Sequence, residues 1–291
     1  MPRTDSRSSP SDRPSGRGAS GRPPSRRPEG GRPADVRVET GGLFVYGRNP
    51  VREALRGRRK VNGLLLVSGP VGDELEQVLA DWTAETPKPH PRVRRIAAPE
   101  LTVMIGTGDH QGIGAEVEPY PYVDPEQIIH SHSLLIALDE VQDPHNLGAI
   151  IRTATAVGAG VVIPRHRAAE ITGAVVKASA GITERAAVAR VRNLADFLTA
   201  AKAAGFWTYG ASGRADSDYT AQDYSYSTCF VMGSEGEGLG RRVESMCDLM
   251  VSIPLGGGVE SLNVSVSAGV LLYEAVRQRG VKAQSTTETK P

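Results

Sequence analysis

The sequence predicts an α/β protein: a C-terminal, mostly parallel sheet with helices on both faces, plus a small N-terminal α/β unit. Three observations predict it. From Ser133 onward, short strand-like runs alternate with helical patterns at the spacing of a sheet whose helices cover both faces. Residues 43–118 show a shorter mixture of the same two patterns, roughly 75 residues and near the low end for a domain. Between them, "EPYPYVDPEQ" carries three prolines in ten residues, the punctuation of a linker.

In chain order, "YGRNPVREALRG" reads as a turn, an N-cap at Asn49, Pro50 at the first helical position and a helix stopped by Gly57. "VNGLLLVSG" is a strand. "DELEQVLADWTAE" places Leu75, Val78, Leu79 and Trp82 at helical spacing. "PELTVMIG" is a short helix and "IGAEVEPY" a strand. Beyond the linker, "SLLIALD", "GVVIP", "AAVARV", "FWTYGAS", "TCFVMG" and "LMVSIP" are strands. "NLGAIIRTATAVG", "GAVVKASAG", "NLADFLTAAKAAG" and "LGRRVESM" are helices, and a long helix from about Asn263 to Arg279 closes the chain. The expected organisation is a disordered basic tail (1–42), the small unit (43–118), a linker (119–131), the larger domain (132–285) and a short tail (286–291).

Composition narrows the function. Residues 1–40 hold nine arginines against five acids and almost no large apolar residue, so they cannot offset the entropy of ordering. Such a segment is either an RNA-tethering arm or a solubilising extension. The whole chain carries a net charge of +1, so nucleic-acid binding must be sought locally. Two cysteines without CxxC spacing argue against a disulfide framework or a zinc site and favour a reduced, cytoplasmic protein. No apolar run approaches the ~20 residues of a membrane span, and the first residues lack the apolar stretch of a secretory signal, so none is expected.

Three segments leave strands carrying polar or glycine-rich residues: "LDEVQDPHNLGAIIRTA", "MGSEGEGLG" and "IPLGGGVESLNVS". In parallel sheets, ligands bind beyond the carboxyl ends of strands, so these segments should converge. Their glycines let the backbone approach a nucleotide-like ligand. A P-loop lacks its lysine, GxGxxG is out of register, and Ser234 lacks the GxSxG context of a hydrolase. The histidines have no metal-ligand spacing; His110 reads as a loop residue, and no metal is expected. Asn146, Ser261 and Asn263 sit where helix caps would, and Glu235 could cap the helix after its turn. Arg152 stands in an otherwise apolar helix, where it either snorkels to solvent or faces a polar site.

"DPHNLGAIIRTATAVGA", "FVMGSEGEGLG" and "IPLGGGVESLNVSVSAGVLLYEAVRQR" closely resemble the three ordered motifs of the SpoU/TrmH family of RNA ribose 2′-O-methyltransferases, over about residues 132–280. "FVYGRNPVREAL" and "DHQGIGAEV" resemble the start and end of the small N-terminal RNA-binding domain of one branch, which includes the bacterial enzyme that methylates a guanosine ribose in 23S ribosomal RNA. The resemblance implies S-adenosylmethionine as cofactor, a deep trefoil knot and a homodimer. It implies 23S ribosomal RNA or a large-subunit assembly particle as substrate. A transfer-RNA methylase, an antibiotic-resistance methylase and a non-catalytic RNA-binding or assembly factor remain open.

Carried over by motif, Arg152 lies at the acceptor, where it either holds the target phosphate through its guanidinium fork or helps deprotonate the hydroxyl, orientation being favoured because a guanidinium accepts a proton poorly. Asn146 and Asn263 position the ribose or Arg152, Ser261 supports them, and Glu235 fixes Arg152 or the loop. Main-chain groups of Met232, Gly233, Ile253 and Leu262 grip the cofactor. Arg48 and the cluster Arg56, Arg58, Arg59 and Lys60 are the candidate RNA contacts, with a solvated loop as the alternative.

Overall fold

The computed structural model describes residues 43–84 and 91–288, with side chains as far as 280. The expected basic tail, 1–42, lies outside the described residues.

The first unit comprises β1 (Leu43–Tyr46), α1 (Arg48–Arg56), β2 (Val61–Val67), α2 (Pro70–Ala84), β3 (Arg92–Ile96), α3 (Ala98–Ile105) and β4 (Ile113–Val117). Its sheet runs β1-β4-β2-β3, antiparallel at β4 and parallel between β2 and β3. Helix α1 starts earlier than the expected cap at Asn49. Its N-cap is Gly47, at a φ of 93° that favours glycine. A Cβ there would also lie 2.5 Å from Lys177 Nζ.

Residues 119–131 are more ordered than a linker. Val123 N–H donates to Val188 C=O at 2.8 Å, and α4 (Pro125–Ser131) follows, capped by Asp124. Ile128 and Ile129 of α4 are buried. Then come β5 (Leu134–Leu138), α5 (Pro144–Ala156), β6 (Gly160–Pro164), α6 (Gly173–Ala178), β7 (Val188–Val191), α7 (Leu194–Ala203), β8 (Trp207–Ala211), β9 (Thr228–Met232), α8 (Arg241–Glu244), β10 (Leu249–Val251) and α9 (Val264–Glu288). The closing helix thus outruns its expected end near Arg279. The sheet order is β10-β8-β9-β5-β6-β7, every pairing parallel. After β7 the chain crosses β5 to build the other half, and β9 returns to lie beside β5. A ligand crevice is expected at the carboxyl ends of those two central strands.

One apolar core runs through both sheets, from Val45, Leu64 and Ile113 to Ile136, Ile150 and Phe230. Its polar seam revises the role of "RGRRK". Arg59 is buried and meets the equally buried Glu184 through two guanidinium nitrogens, the Nε contact at 3.1 Å. Tyr120 lies 5.7 Å from that guanidinium, and its hydroxyl reaches the carbonyls of Thr183 and Ala186. Arg58 Nη2 donates to Ala186 C=O at 2.8 Å. Arg59 therefore joins the two sheets and does not present itself to RNA, whereas Arg58 touches the second sheet through that bond and stays exposed, open to a ligand. Lys60 pairs with Glu118 and Arg48 with Glu74 at the surface, where both remain open to a ligand. Arg56 is only partly buried.

Helix α9 braces the central strands. Near its far end, Arg279 donates to the carbonyls of Ser133, Tyr224 and Tyr226, just ahead of β5 and β9.

Candidate active site

The three polar loops meet. After β5 the chain turns through Asp139 and Glu140, and Asp143 caps α5 by accepting the His145 N–H at 2.9 Å. Asn146 is therefore not the cap. It sits in the first turn of α5, 7% exposed, with its amide free for tertiary contacts.

The loop after β9 is a tight fold-back. Ser234 and Gly238 exchange two backbone hydrogen bonds of 3.1 Å. Gly233 lies beneath: a Cβ there would be 2.1 Å from the Gly238 carbonyl carbon. This crossing needs a bare backbone, and it thrusts Glu235 outward. Asp139 anchors the loop, accepting the Gly240 N–H at 2.8 Å, while its own N–H donates to Met232 C=O at 2.7 Å. Burial pushes the Asp139 carboxyl pKa up, partly offset by the Gly240 N–H. Sequence inspection missed this residue, although an acid directly after a parallel strand was the available signal.

Asn263 comes from the third loop and does two things. Its Oδ1 caps α9, accepting the N–H groups of Ser265 at 2.9 Å and Val266 at 3.4 Å. Its Nδ2 donates to Asn146 Oδ1 and to Glu235 Oε1, both at 2.8 Å. Asn146 Nδ2 donates to the same Oε1 at 2.9 Å. Asn146, Glu235 and Asn263 thus close a triangle of hydrogen bonds. A carboxylate accepting two amides fixes both amide orientations.

The other site residues take no part in the triangle's hydrogen bonds. Arg152 is exposed, and its guanidinium makes no hydrogen bond or ion pair among the described residues. Six residues beyond Asn146, it lies about 120° around the helix and about 9 Å along its axis. Glu235 therefore fixes Asn146 and Asn263 rather than Arg152. Ser261 is exposed near the triangle, and its hydroxyl makes no hydrogen bond among the described residues. Of the proposed cofactor contacts, Met232 is buried with its carbonyl engaged. Gly233, Ile253 and Leu262 make no backbone–backbone hydrogen bond among the described residues, so their main-chain groups are available to a ligand.

Comparison with known proteins agrees with this geometry. Residues 133–273 match the model of the SpoU rRNA Methylase family, and residues 44–123 match the RNA 2′-O ribose methyltransferase substrate-binding model. A Bacillus subtilis protein assigned by name to the TrmH family of tRNA/rRNA methyltransferases, YacO, is 39% identical over 243 residues, 81% of this chain and 96% of that one. The structure of the SpoU methyltransferase AviRb from Streptomyces viridochromogenes with the cofactor AdoMet aligns with a TM-score of 0.67 at 29% identity, covering 84% of this chain and 94% of its own. An AdoMet-bound rRNA methyltransferase from Sinorhizobium meliloti aligns at 0.68 and 28%, covering 82% and 88%. With motif order, sheet topology and near full-length similarity in agreement, the chain belongs to the SpoU/TrmH family of RNA methyltransferases.

Proposed function

We propose that the chain methylates a ribose 2′-hydroxyl of a guanosine in 23S ribosomal RNA, using S-adenosylmethionine. The observation that carries this is the Asn146–Glu235–Asn263 triangle beside the available main-chain groups of Gly233, Ile253 and Leu262. A ribosomal substrate is favoured by the Sinorhizobium relative, named as an rRNA methyltransferase and matched through both halves of the chain.

Main-chain donors and acceptors on the strand-end loops suit an adenosyl and methionyl ligand. When bound, S-adenosylmethionine supplies a methyl group on a positively charged sulfur. The chain must supply alignment, since a 2′-hydroxyl is a poor nucleophile at neutral pH. Glu235 locks the two amides, so Asn146 and Asn263 hold the acceptor ribose in one orientation, with Ser261 beside them. Alignment of this kind contributes about 7–11 kcal/mol. A guanidinium is a poor proton acceptor and a planar fork for phosphate, so Arg152 serves as a phosphate fork rather than a base.

Arg152 reaches the acceptor through a second copy of the chain. Val266 and Tyr273 of α9 are 51% and 56% exposed and lie on one helical stripe with Val270. Thr153, next to Arg152, packs where α5 meets that helix at Gly269. In this reading a second copy covers the stripe, and Arg152 extends from the neighbouring helix toward it.

The test is methyl transfer from labelled S-adenosylmethionine to unmodified bacterial RNA, with the 2′-O-methyl positions mapped. A single labelled guanosine in 23S RNA is expected, and Arg152→Ala should fold normally yet lose it by orders of magnitude. Label in transfer RNA would overturn the substrate. Absence of both label and cofactor binding would overturn the activity.

A further inference from the structure

A second polar recess opens on the same edge of the parallel sheet, two strands from β5. It has a volume of about 610 Å³ and is lined by Tyr122, Asp124, Arg165, His166 and Arg190, among others. Arg165 directly follows β6, and its N–H donates to Val191 C=O at the end of β7. Strand spacing puts the recess about 10 Å from the end of β5. The loop that carries Arg165 and His166 also touches the segment leading into Asn146. Ala169 N–H donates to Val141 C=O at 3.0 Å, and Arg167 pairs with Glu140 at 3.2 Å.

Its chemistry suits one nucleotide of a polyanion. Arg165 and His166 are exposed, and their side chains make no hydrogen bond or ion pair among the described residues. Arg190 is built in: it pairs with Glu170, donates to Arg165 C=O at 3.0 Å and lies 5.7 Å from the Tyr122 ring centroid. Its Nε is buried without a hydrogen-bond partner among the described residues. The Tyr122 hydroxyl is held by the Ile171 N–H at 3.0 Å, which fixes the ring. Asp124 is the one acidic liner, and its Oδ1 already accepts the Glu126 N–H at 2.8 Å. A recess of this size accommodates a drug-sized ligand. Arginine forks bind phosphate, and tyrosine rings stack on sugars and bases.

We propose that this recess holds a backbone phosphate, with its nucleoside, of the substrate RNA a few residues from the methylated one. The assignment rests on RNA being the substrate. It makes the β6–β7 edge a second grip that sets which nucleotide enters the triangle.

The experiment compares wild type with Arg165→Glu and His166→Ala in the full chain. RNA affinity is measured across a salt series, with S-adenosylmethionine affinity and methylation kinetics alongside. Neither substitution removes a contact that holds the fold, since the Arg165 main-chain bond survives any side chain. Arg165→Glu should weaken RNA binding about tenfold or more. It should also flatten the salt slope by about 0.7, with cofactor affinity and melting temperature unchanged. His166→Ala should weaken binding by less. RNA affinity and slope equal to wild type would overturn the recess alone. A loss of cofactor affinity instead would give the recess to the cofactor and also overturn it. Failure of wild type to bind RNA would remove the functional reading and this assignment together.

Discussion

Arg59→Ala separates two accounts of the basic cluster. The substitution leaves the Glu184 carboxylate, with a side chain 0% exposed, facing the space its two guanidinium bonds filled. Breaking a buried ion pair from one side costs about 3–5 kcal/mol, because the surviving charge is uncompensated. For a domain of this size each kcal/mol moves the melting temperature by about 2–4 °C, so a fall of roughly 6–20 °C is expected. Thermal and denaturant unfolding would measure it, with RNA binding assayed well below the transition. Arg59→Met with Glu184→Leu should recover most of the loss, since a well-packed apolar pair replaces such bridges at little cost. A melting temperature within about 2 °C of wild type, combined with weakened RNA binding, would refute the structural role and return Arg59 to the RNA surface.

Further substitutions test the site and its frame. Asn263→Asp keeps the oxygen that caps α9 but sets an acceptor against Glu235 Oε1 and Asn146 Oδ1, now 2.8 Å from a donor. Methylation should fall about 10²–10³-fold with little change in stability, and near-normal turnover would exclude the triangle from the mechanism. Gly233→Ala forces a Cβ onto the Gly238 carbonyl, so the loop must open. A stability loss of about 1–3 kcal/mol and weaker cofactor binding are expected in calorimetry, and unchanged values of both would show that the fold-back is dispensable. His110 is buried and accepts the Gly112 N–H at Nδ1, and burial holds its pKa below the ordinary value. The unfolded state therefore binds the proton more readily, so stability is complete above about pH 6.5 and declines as pH falls below it. His110→Gln should flatten that acid limb of the melting-temperature profile, and an unaltered limb would place the titration elsewhere.

The central strands and most helices were legible because their apolar runs and periodicities are local. Strand β3, "RVRRI", was not, since only Ile96 turns inward and the other four positions are exposed at the sheet edge. Helix α4 was hidden by its own proline: Pro125 sits in the first turn after the Asp124 cap, where proline starts a helix rather than marking a linker. The site was readable in outline, because three loops leaving parallel strands had to converge. Two details were not. Asn146 passed as a possible cap because the true cap, Asp143, lies one turn earlier. Arg59 passed as a surface charge because its partner is 125 residues away, beyond any local signal.

The double duty of Asn263 also makes the start of α9 a gauge of the site. The oxygen that receives the Ser265 and Val266 amides belongs to the side chain whose nitrogen secures Glu235 and Asn146. Fraying of that first helical turn and dispersal of the triangle are one event. Amide exchange at Ser265 and Val266 therefore reports the fraction of molecules ready to react. Any ligand that settles the triangle slows exchange at both amides by a factor of one plus the ratio of free ligand to Kd, so the logarithm of the slowing reads the stabilisation.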